Sequence, residues 1–279
     1  MGLTVDLPPL NVPALLHAHG LSPKKSLGQN FLIDPAALRR IVEAAEIDPQ
    51  SAVLEVGPGL GSLTRYLAAA AERVVAVELD QTLIPVLREV LAGSPHVEIV
   101  HGDILKIDPS ALMDRPGYSV VANIPYYITS NLIRHLLEAP LKPNRIVLTI
   151  QREVAERITA APGDMSLLAL GVQVYGKPKI VTRIPAGSFY PPPKVDSSAV
   201  RVDLYPEPLI PAGQIDRFFR LAKAGFGQKR KTLRNSLSAG LSLPGERAAE
   251  MLRSVGIDPM RRAETLSIEE WKALTEASA

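Results

Sequence analysis

Short apolar runs alternate with longer segments of helical periodicity between residues 52 and 151. The runs are rich in Val and Ile and nearly continuous in apolar character, which is typical of buried parallel strands. There are five of them: AVLEVG, RVVAVELD, VEIVHGD, YSVVANIPY and RIVLTIQ. The segments between them, such as SLTRYLAAAAE and QTLIPVLREVLAG, carry apolar residues at helical spacing. This alternation predicts the α/β class, with a doubly wound parallel sheet.

The pattern changes after residue 176. KIVTRIP and AVRVDLYP predict extended segments that continue the same sheet as late strands, with an antiparallel direction left open. Three prolines and a glycine in YPEPLIPAG predict a linker. Four helical segments follow it: DRFFRLAKAGF, KRKTLRNSLSAGL (beginning at Lys229), GERAAEMLRSVG and SIEEWKALTEA, the last with Trp271 on its core face. The predicted organisation is an N-terminal extension at 1–22, an α/β domain at 23–207 and a small C-terminal helical domain at 208–279.

The composition narrows the chemistry that the chain can perform. Its 279 residues are 46% hydrophobic and 22% charged, as in ordinary globular proteins, and they include no cysteine. Disulfides, thiol nucleophiles and cysteine-ligated metals are thereby excluded, and we expect no metal. The first twenty residues resemble neither a secretory signal nor a transit peptide, and no apolar stretch is long enough to cross a bilayer. We expect a cytoplasmic monomer without a membrane partner.

A glycine-rich turn, EVGPGLG at 55–61, follows the first strand of the predicted sheet. Glycines allow a tight strand-to-helix turn and let a ligand approach the helix N-terminus, which indicates a nucleotide-like cofactor. Glu78 ends the second strand, where an acid can accept hydrogen bonds from ribose hydroxyls, and Asp103 ends the third strand at the same sheet edge. From the loop alone, a purely structural turn and the NAD-binding GxGxxG fingerprint, with Ser62 at its sixth position, remain alternatives.

The fourth predicted strand ends in Asn123-Ile124-Pro125-Tyr126. This resembles the [DN]-x-P-Y signature of S-adenosylmethionine-dependent methyltransferases that modify the exocyclic amine of a nucleobase. The adenine amine is a poor nucleophile, and hydrogen bonds accepted by the Asn123 side-chain oxygen and the Ile124 carbonyl would return electron density to it. Pro125 restricts the backbone at that carbonyl, and Tyr126 would stack on the base. A simple strand-ending turn is the structural alternative.

Four further segments resemble the small-subunit ribosomal RNA adenine dimethyltransferase family (the KsgA type), which shares some of them with the Erm methyltransferases. These segments are KKSLGQNFL at 24–32, FYPPPKVDS at 189–197, FGQKRKTLRN at 226–235 and RAETLS at 262–267. One position departs from the pattern: Tyr127 stands where many members carry Asn. The resemblance covers most of the chain, apart from the first 22 residues.

The resemblance implies a Rossmann-like methyltransferase fold and a set of site residues. S-adenosylmethionine, the methyl donor, would be contacted by Asn30, Leu32, Gly57, Glu78, Asp103 and Asn123. Phe189 would cover the face of the target adenine opposite Tyr126. The implied reaction is dimethylation of two adjacent adenosines near the 3′ end of small-subunit rRNA, within an immature ribosomal subunit.

Positive charge is concentrated in one part of the chain, although the formal net charge is only 31 − 29 = +2. Residues 217–245 contain seven Lys and Arg and no Asp or Glu. Such a run is often just a solvated helix face, but together with basic residues beside the glycine loop it also fits a track for RNA phosphates. We therefore predict RNA contacts at Lys24, Lys25, Lys229, Arg230, Lys231 and Arg234.

Three other functions compete with this prediction. An Erm-type enzyme would methylate large-subunit rRNA by the same chemistry and confer macrolide resistance. A non-catalytic assembly or transcription factor could use the same fold, although the intact cofactor and Asn-Ile-Pro-Tyr positions argue against it. An NAD-dependent oxidoreductase would leave the Asn-Ile-Pro-Tyr segment and the basic run unexplained.

Overall fold

The computed structural model describes residues 7–278. The chain divides into two compact units. The first comprises the residues up to Ala155 together with 178–204, and the second comprises 156–177 together with the residues from Tyr205 onward. The segment 156–177, which lies within the predicted α/β domain, therefore packs with the helical unit instead.

The first unit contains nine strands. They are β1 (Phe31–Leu32), β2 (Ala52–Val56), β3 (Arg73–Glu78), β4 (Val97–His101), β5 (Ser119–Asn123), β6 (Arg145–Gln151), β7 (Gly176–Ile184), which begins at the boundary of the second unit, β8 (Phe189–Tyr190) and β9 (Ser197–Leu204). Seven form one sheet in the order β4-β3-β2-β5-β6-β9-β7, while β1 and β8 form an antiparallel pair. Strands β2 to β6 run parallel, and β9 pairs with β6 in the antiparallel direction. The predicted Rossmann-like sheet is confirmed, and β9 continues it in the antiparallel direction that the sequence left open.

The helices of this unit are α1 (Val12–Ala18), α2 (Pro35–Ala45), α3 (Ser62–Ala68), α4 (Ile84–Val90), α5 (Thr129–Glu138) and α6 (Arg152–Ile158), which reaches the boundary of the second unit. Helices α2, α3 and α4 pack on the sheet through apolar faces. Leu38 and Ile41 of α2 are buried in one cluster with Val53, Val121 and Val147 of the central strands. The core of this unit therefore lies directly beneath the strand ends at which ligands bind in such sheets.

The N-terminal extension contributes a helix to the first unit. Val12 and Leu16 of α1 are buried against Phe31, Leu60 and Leu83. These three partners also line the main cavity. Sequence patterning missed this role, and the helix supports one wall of the site from behind.

The second unit is helical. Its helices are α7 (Leu167–Gln173), α8 (Ile215–Phe226), α9 (Leu233–Leu241), α10 (Gly245–Arg253) and α11 (Ile268–Ala277). Trp271 is fully buried in their core, as predicted, and its ring stacks on Phe226. The helix predicted from 229 begins only at Leu233, because Thr232 has an extended backbone and residues before it form a turn. Within residues 7–278, no helix is long and apolar enough to span a bilayer.

Candidate active site

The carboxyl ends of the parallel strands open into one cavity of the first unit. This is where a doubly wound sheet binds its ligands. Every residue predicted to contact the methyl donor or the target base lines that cavity: Asn30, Leu32, Gly57, Glu78, Asp103, Asn123, Ile124, Pro125, Tyr126 and Phe189. The structure thus brings together residues that are up to 159 positions apart (189 − 30).

The glycine-rich turn fixes the orientation of Glu78. Gly59 has a φ of +58°, and a Cβ at this position would lie 2.9 Å from the Phe31 ring, so only glycine fits. Its backbone N–H donates to Glu78 Oε2 at 2.9 Å, while the backbone N–H of Asp80 donates to Oε1 at 2.8 Å. Burial raises the pKa of Glu78. Each carboxyl oxygen can accept a second hydrogen bond, which suits the two hydroxyls of a ribose.

A second acid, Glu55, lies on the same wall without a role in the sequence prediction. Its side chain is 1% exposed, and its Oε2 atom has no hydrogen-bond partner within residues 7–278. Burial, together with the nearby Glu78, raises the pKa of Glu55 to about 8. A buried oxygen without a partner needs a polar ligand or water to satisfy it. The cavity is therefore suited to a polar small molecule.

The side chain of Asn123 is oriented by the N-terminal segment. Its Nδ2 atom donates to the backbone carbonyl of Asn30 at 3.1 Å, and the amide of Asn30 in turn donates to the carbonyl of Gly28. No residue between 7 and 278 donates to Asn123 Oδ1. Since the nitrogen is occupied, the oxygen is the end of this amide that can accept hydrogen bonds from a substrate amine.

Asp80 anchors that N-terminal segment, and sequence reasoning missed it. Its carboxylate is 4% exposed and accepts Lys24 Nζ at 2.6 Å, Gln29 Nε2 at 2.8 Å and the Thr82 hydroxyl at 2.6 Å. Burial alone would raise the pKa of Asp80, but these hydrogen bonds outweigh it and lower the pKa to about 2. We refer to Lys24, Gln29 and Asp80 as the anchor cluster. The ammonium group of Lys24, predicted to meet RNA phosphate, is engaged by a carboxylate instead.

The aromatic residues of the cavity are held firmly, with one exception. The Tyr126 hydroxyl lies 2.8 Å from Ser197 Oγ, and Pro125 before it has a φ of −58°. Phe189 is 3% exposed, because β8 pairs with β1 in a register that places it opposite Leu32. Tyr127, by contrast, lines the cavity but is 61% exposed.

The remaining basic residues predicted to contact RNA fall into two groups. Lys25, Lys229, Arg230 and Lys231 are exposed and form no ion pair within the described chain. Arg234 is partly buried, and its Nε donates to the Gly245 carbonyl at 3.1 Å. Its Nη2 atom also lies 3.7 Å from Glu246 Oε2. Arg234 therefore has structural contacts with the first two residues of α10, which the other four lack.

The ribosomal RNA adenine dimethylase family model matches residues 20–279. The chain belongs to this family. Membership makes it an S-adenosylmethionine-dependent rRNA adenine dimethyltransferase, and it removes the NAD-dependent oxidoreductase from consideration.

Individual relatives agree with the family assignment. The chain is 48% identical over 263 residues to the ribosomal RNA small subunit methyltransferase A of Dehalococcoides mccartyi strain CBDB1, covering 93% of this chain and 90% of that one. It is 44% identical over 282 residues to the protein of the same name from Pelotomaculum thermopropionicum, covering 96% of each.

Solved structures of the family are similar as well. A dimethyladenosine transferase from Plasmodium falciparum superposes with a TM-score of 0.77 at 28% identity, over 88% of this chain and 95% of that chain. The 23S rRNA methyltransferase ErmE superposes with a TM-score of 0.74 at 33% identity, over 89% of this chain and 99% of that chain. The proteins that this chain resembles thus include relatives named for the small ribosomal subunit and one named for 23S rRNA.

Proposed function

We propose that this enzyme dimethylates two adjacent adenosines near the 3′ end of small-subunit rRNA, in an immature ribosomal subunit, and that it acts as a monomer in the cytoplasm. The observation that carries the site chemistry is the hydrogen bond from Asn123 to the Asn30 carbonyl, because it leaves Asn123 Oδ1 as an acceptor in the cavity. The names of the relatives with 41–48% identity support the choice of the small subunit.

Two acceptors would hold the amine of the target adenine. Asn123 Oδ1 takes one N–H, and the backbone carbonyl of the buried Ile124 takes the other. Both hydrogen bonds return electron density to a nitrogen whose lone pair is delocalised. The bound donor supplies a methyl group on a sulfonium centre. The methylated amine loses its proton to water, so no side chain of the cavity needs to act as a base.

The target base would be held between two aromatic rings. Tyr126 offers one ring, which its hydroxyl contact with Ser197 holds in place. Phe189 closes the opposite face. Stacking on aromatic rings stabilises a base by about 1–3 kcal/mol, which helps to repay the cost of taking it out of its own stack.

The methyl donor would bind along the glycine turn. Gly57 lies beside its methionine part, Glu78 accepts its ribose hydroxyls and Asp103 accepts its adenine amine, while Asn30 and Leu32 close the wall formed by the N-terminal segment. Two observations support binding of the donor at these residues. Glu55 Oε2 lacks a hydrogen-bond partner within residues 7–278, and both carboxyl oxygens of Glu78 are oriented by backbone N–H groups.

Contacts with RNA phosphates would come from the exposed basic residues. Lys25, Lys229, Arg230 and Lys231 form no ion pair within residues 7–278 and can each release counterions from RNA. Arg234 can contribute only from the part of its side chain that its contact with Gly245 leaves exposed. Such contacts orient the RNA without reading its sequence.

The proposal is tested by methylation in vitro. Small and large ribosomal subunits that lack adenosine dimethylation are incubated with the enzyme and radiolabelled S-adenosylmethionine, and the modified nucleotides are mapped by primer extension and mass spectrometry. We expect dimethyladenosine at two adjacent positions near the 3′ end of the small-subunit rRNA. Product on large-subunit rRNA alone would overturn the proposal in favour of an Erm-type activity.

A further inference from the structure

An exposed tyrosine at the mouth of the cavity has no role in the chemistry proposed above. Tyr127 follows the Asn-Ile-Pro-Tyr segment directly and is 61% exposed. Its hydroxyl forms no hydrogen bond within residues 7–278. The other aromatic side chains at the cavity are buried or held by hydrogen bonds, as with Phe189 and Tyr126. Large aromatic side chains at a nucleic-acid site commonly serve as stacking surfaces for bases.

The ring of Tyr127 packs against Gly28 of the N-terminal segment. A Cβ at Gly28 would lie 3.5 Å from Tyr127 Cε1 and 3.6 Å from Cδ1, so the ring packs along the backbone of Gly28. The backbone of Gly28 is itself fixed, because its N–H donates to the Lys25 carbonyl at 3.0 Å and its carbonyl accepts from Asn30. A ring fixed along one side and open to solvent elsewhere is preorganised for stacking.

Lys25, a cation without an ion pair within residues 7–278, lies on the turn that ends at Gly28. Lys25 is three residues before Gly28 in a single 3-10 turn and is exposed. It forms no ion pair in the described part of the chain, whereas its neighbour Lys24 is engaged by Asp80. The turn that supports the aromatic ring therefore also carries an unpaired ammonium group, and these are the two groups that bind a nucleotide through its base and its phosphate.

We propose that Tyr127 and Lys25 form a second nucleotide subsite, which binds the nucleotide adjacent to the target adenosine. Extrusion of the target base deprives its neighbour of a stacking partner, and the ring of Tyr127 replaces that partner. Lys25 binds the phosphate beside it. The inference rests on the proposed function, and where the two modified adenosines are adjacent the occupant of this subsite is the second adenosine of the pair.

The test compares Tyr127→Ala, Tyr127→Phe and Lys25→Gln with the unmodified enzyme on small subunits that lack adenosine dimethylation. We expect Tyr127→Ala to raise KM for the subunit about tenfold, while Tyr127→Phe stays within about twofold because a phenyl ring still stacks. The affinity for S-adenosylmethionine, measured by calorimetry, should be unchanged in both. Lys25→Gln should raise KM at low salt and reduce the salt slope of binding by about one.

Arg88→Gln serves as the charge control, since Arg88 is an exposed cation of α4 in the same unit. It should change neither KM nor the salt slope of binding beyond the effect of net charge. Equal KM values for Tyr127→Ala and Tyr127→Phe would overturn the subsite, and so would a parallel loss of S-adenosylmethionine affinity, which would make Tyr127 a wall of the donor pocket. If the enzyme methylates only large subunits, the proposed function fails, and the same comparison on that RNA still tests the subsite.

Discussion

The ammonium group of Lys24 lies 2.6 Å from a carboxylate oxygen of Asp80, 56 residues later in the chain. The same carboxylate binds Gln29, and the backbone N–H of Asp80 binds Glu78. Through these contacts the buried carboxylate of Asp80 joins two parts of the site. One is the N-terminal segment that orients Asn123, and the other is the end of β3, which carries Glu78, the acid proposed to bind the ribose. The anchor cluster therefore links the donor site to the amide that is proposed to hold the target amine.

Removing one partner of the anchor cluster should weaken the site. We expect Lys24→Met to destabilise the fold by about 1–3 kcal/mol, because it leaves the buried carboxylate of Asp80 less well satisfied. KM for S-adenosylmethionine should rise and kcat should fall, since the segment that orients Asn123 is loosened. The double variant Lys24→Met/Asp80→Asn should lose less than the sum of the single losses. Additive losses would show that the two side chains act independently.

The same pair determines how the enzyme responds to acid. The folded pKa of Asp80 is lowered from 3.8 to about 2, so this carboxylate stabilises the folded state fully above pH 3.8 and loses its contribution as the pH falls toward 2. In Lys24→Met the folded pKa should rise toward its ordinary value. Acid unfolding, followed by circular dichroism, should then begin at a higher pH than in the unmodified protein. Unchanged acid midpoints would contradict a stabilising role for this pair.

Asn123→Ala should reduce kcat by about 100-fold or more, by analogy with the loss of one preorganised hydrogen-bonding group in other active sites. Binding to small subunits should be largely retained, because phosphate contacts lie elsewhere. Asn131→Ala is the matched control, since Asn131 is exposed on α5 in the same unit and should leave the rate unchanged. An unaltered single-turnover rate in Asn123→Ala would remove this side chain from the mechanism.

The positions that could be predicted from the sequence are those fixed by local pattern. Glu78 and Asn123 end the parallel strands β3 and β5, and Asp103 follows β4 by two residues. The carboxyl ends of parallel strands in one sheet lie at the same edge. The pairing of Lys24 with Asp80 could not be predicted in this way, because a lysine in a basic segment has no local feature that marks a partner 56 residues away. The start of α9 was also not predicted correctly. The pattern of KRKTLRNSLSAGL predicts a helix from 229, but the extended backbone of Thr232 delays its start to Leu233.

Because the carboxyl group of Glu55 is buried, we expect the stability of the protein to fall as the pH rises. In the unfolded chain it ionises near its ordinary pKa of 4.5, whereas in the folded protein it keeps its proton to about pH 8. Stability contributed by this group is therefore complete below pH 4.5 and is lost as the pH rises through 8. Glu55→Gln removes the ionisation, so its Tm relative to the unmodified protein should increase between pH 5 and pH 9 by at least about 5 °C.

The control for this prediction is Glu43→Gln, which changes an exposed carboxylate in the last turn of α2. Its Tm difference from the unmodified protein should stay nearly constant over the same pH range. Parallel Tm profiles for Glu55→Gln and the unmodified protein would mean that the carboxyl of Glu55 is ionised in the folded state.

The exposed basic turn before α9 should contribute to RNA affinity without affecting the fold. Replacing Lys229, Arg230 and Lys231 together by Gln should weaken binding to small subunits at low salt and reduce the salt slope by about two to three. Lys24→Gln should leave that slope unchanged, because its ammonium group already pairs with Asp80. If the triple variant keeps the slope of the unmodified enzyme, the phosphate contacts lie on other residues.

Two helix glycines of the second unit should respond to alanine in opposite directions. A Cβ at Gly225 would lie 2.5 Å from Trp271 Cη2, and Trp271 is fully buried and stacked on Phe226, so it has no room to move. Overpacking costs about 1–3 kcal/mol and outweighs the gain of up to about 1 kcal/mol that alanine brings to a helix.

At Gly171 of α7 the nearest side-chain atom would be 4.0 Å away. Alanine causes no overpacking there, so its higher helix propensity should stabilise the protein. Urea unfolding, followed by the fluorescence of the single tryptophan, should therefore show Gly225→Ala destabilised and Gly171→Ala stabilised. Stabilisation by both would show that the Trp271 ring can move to make room for the methyl group.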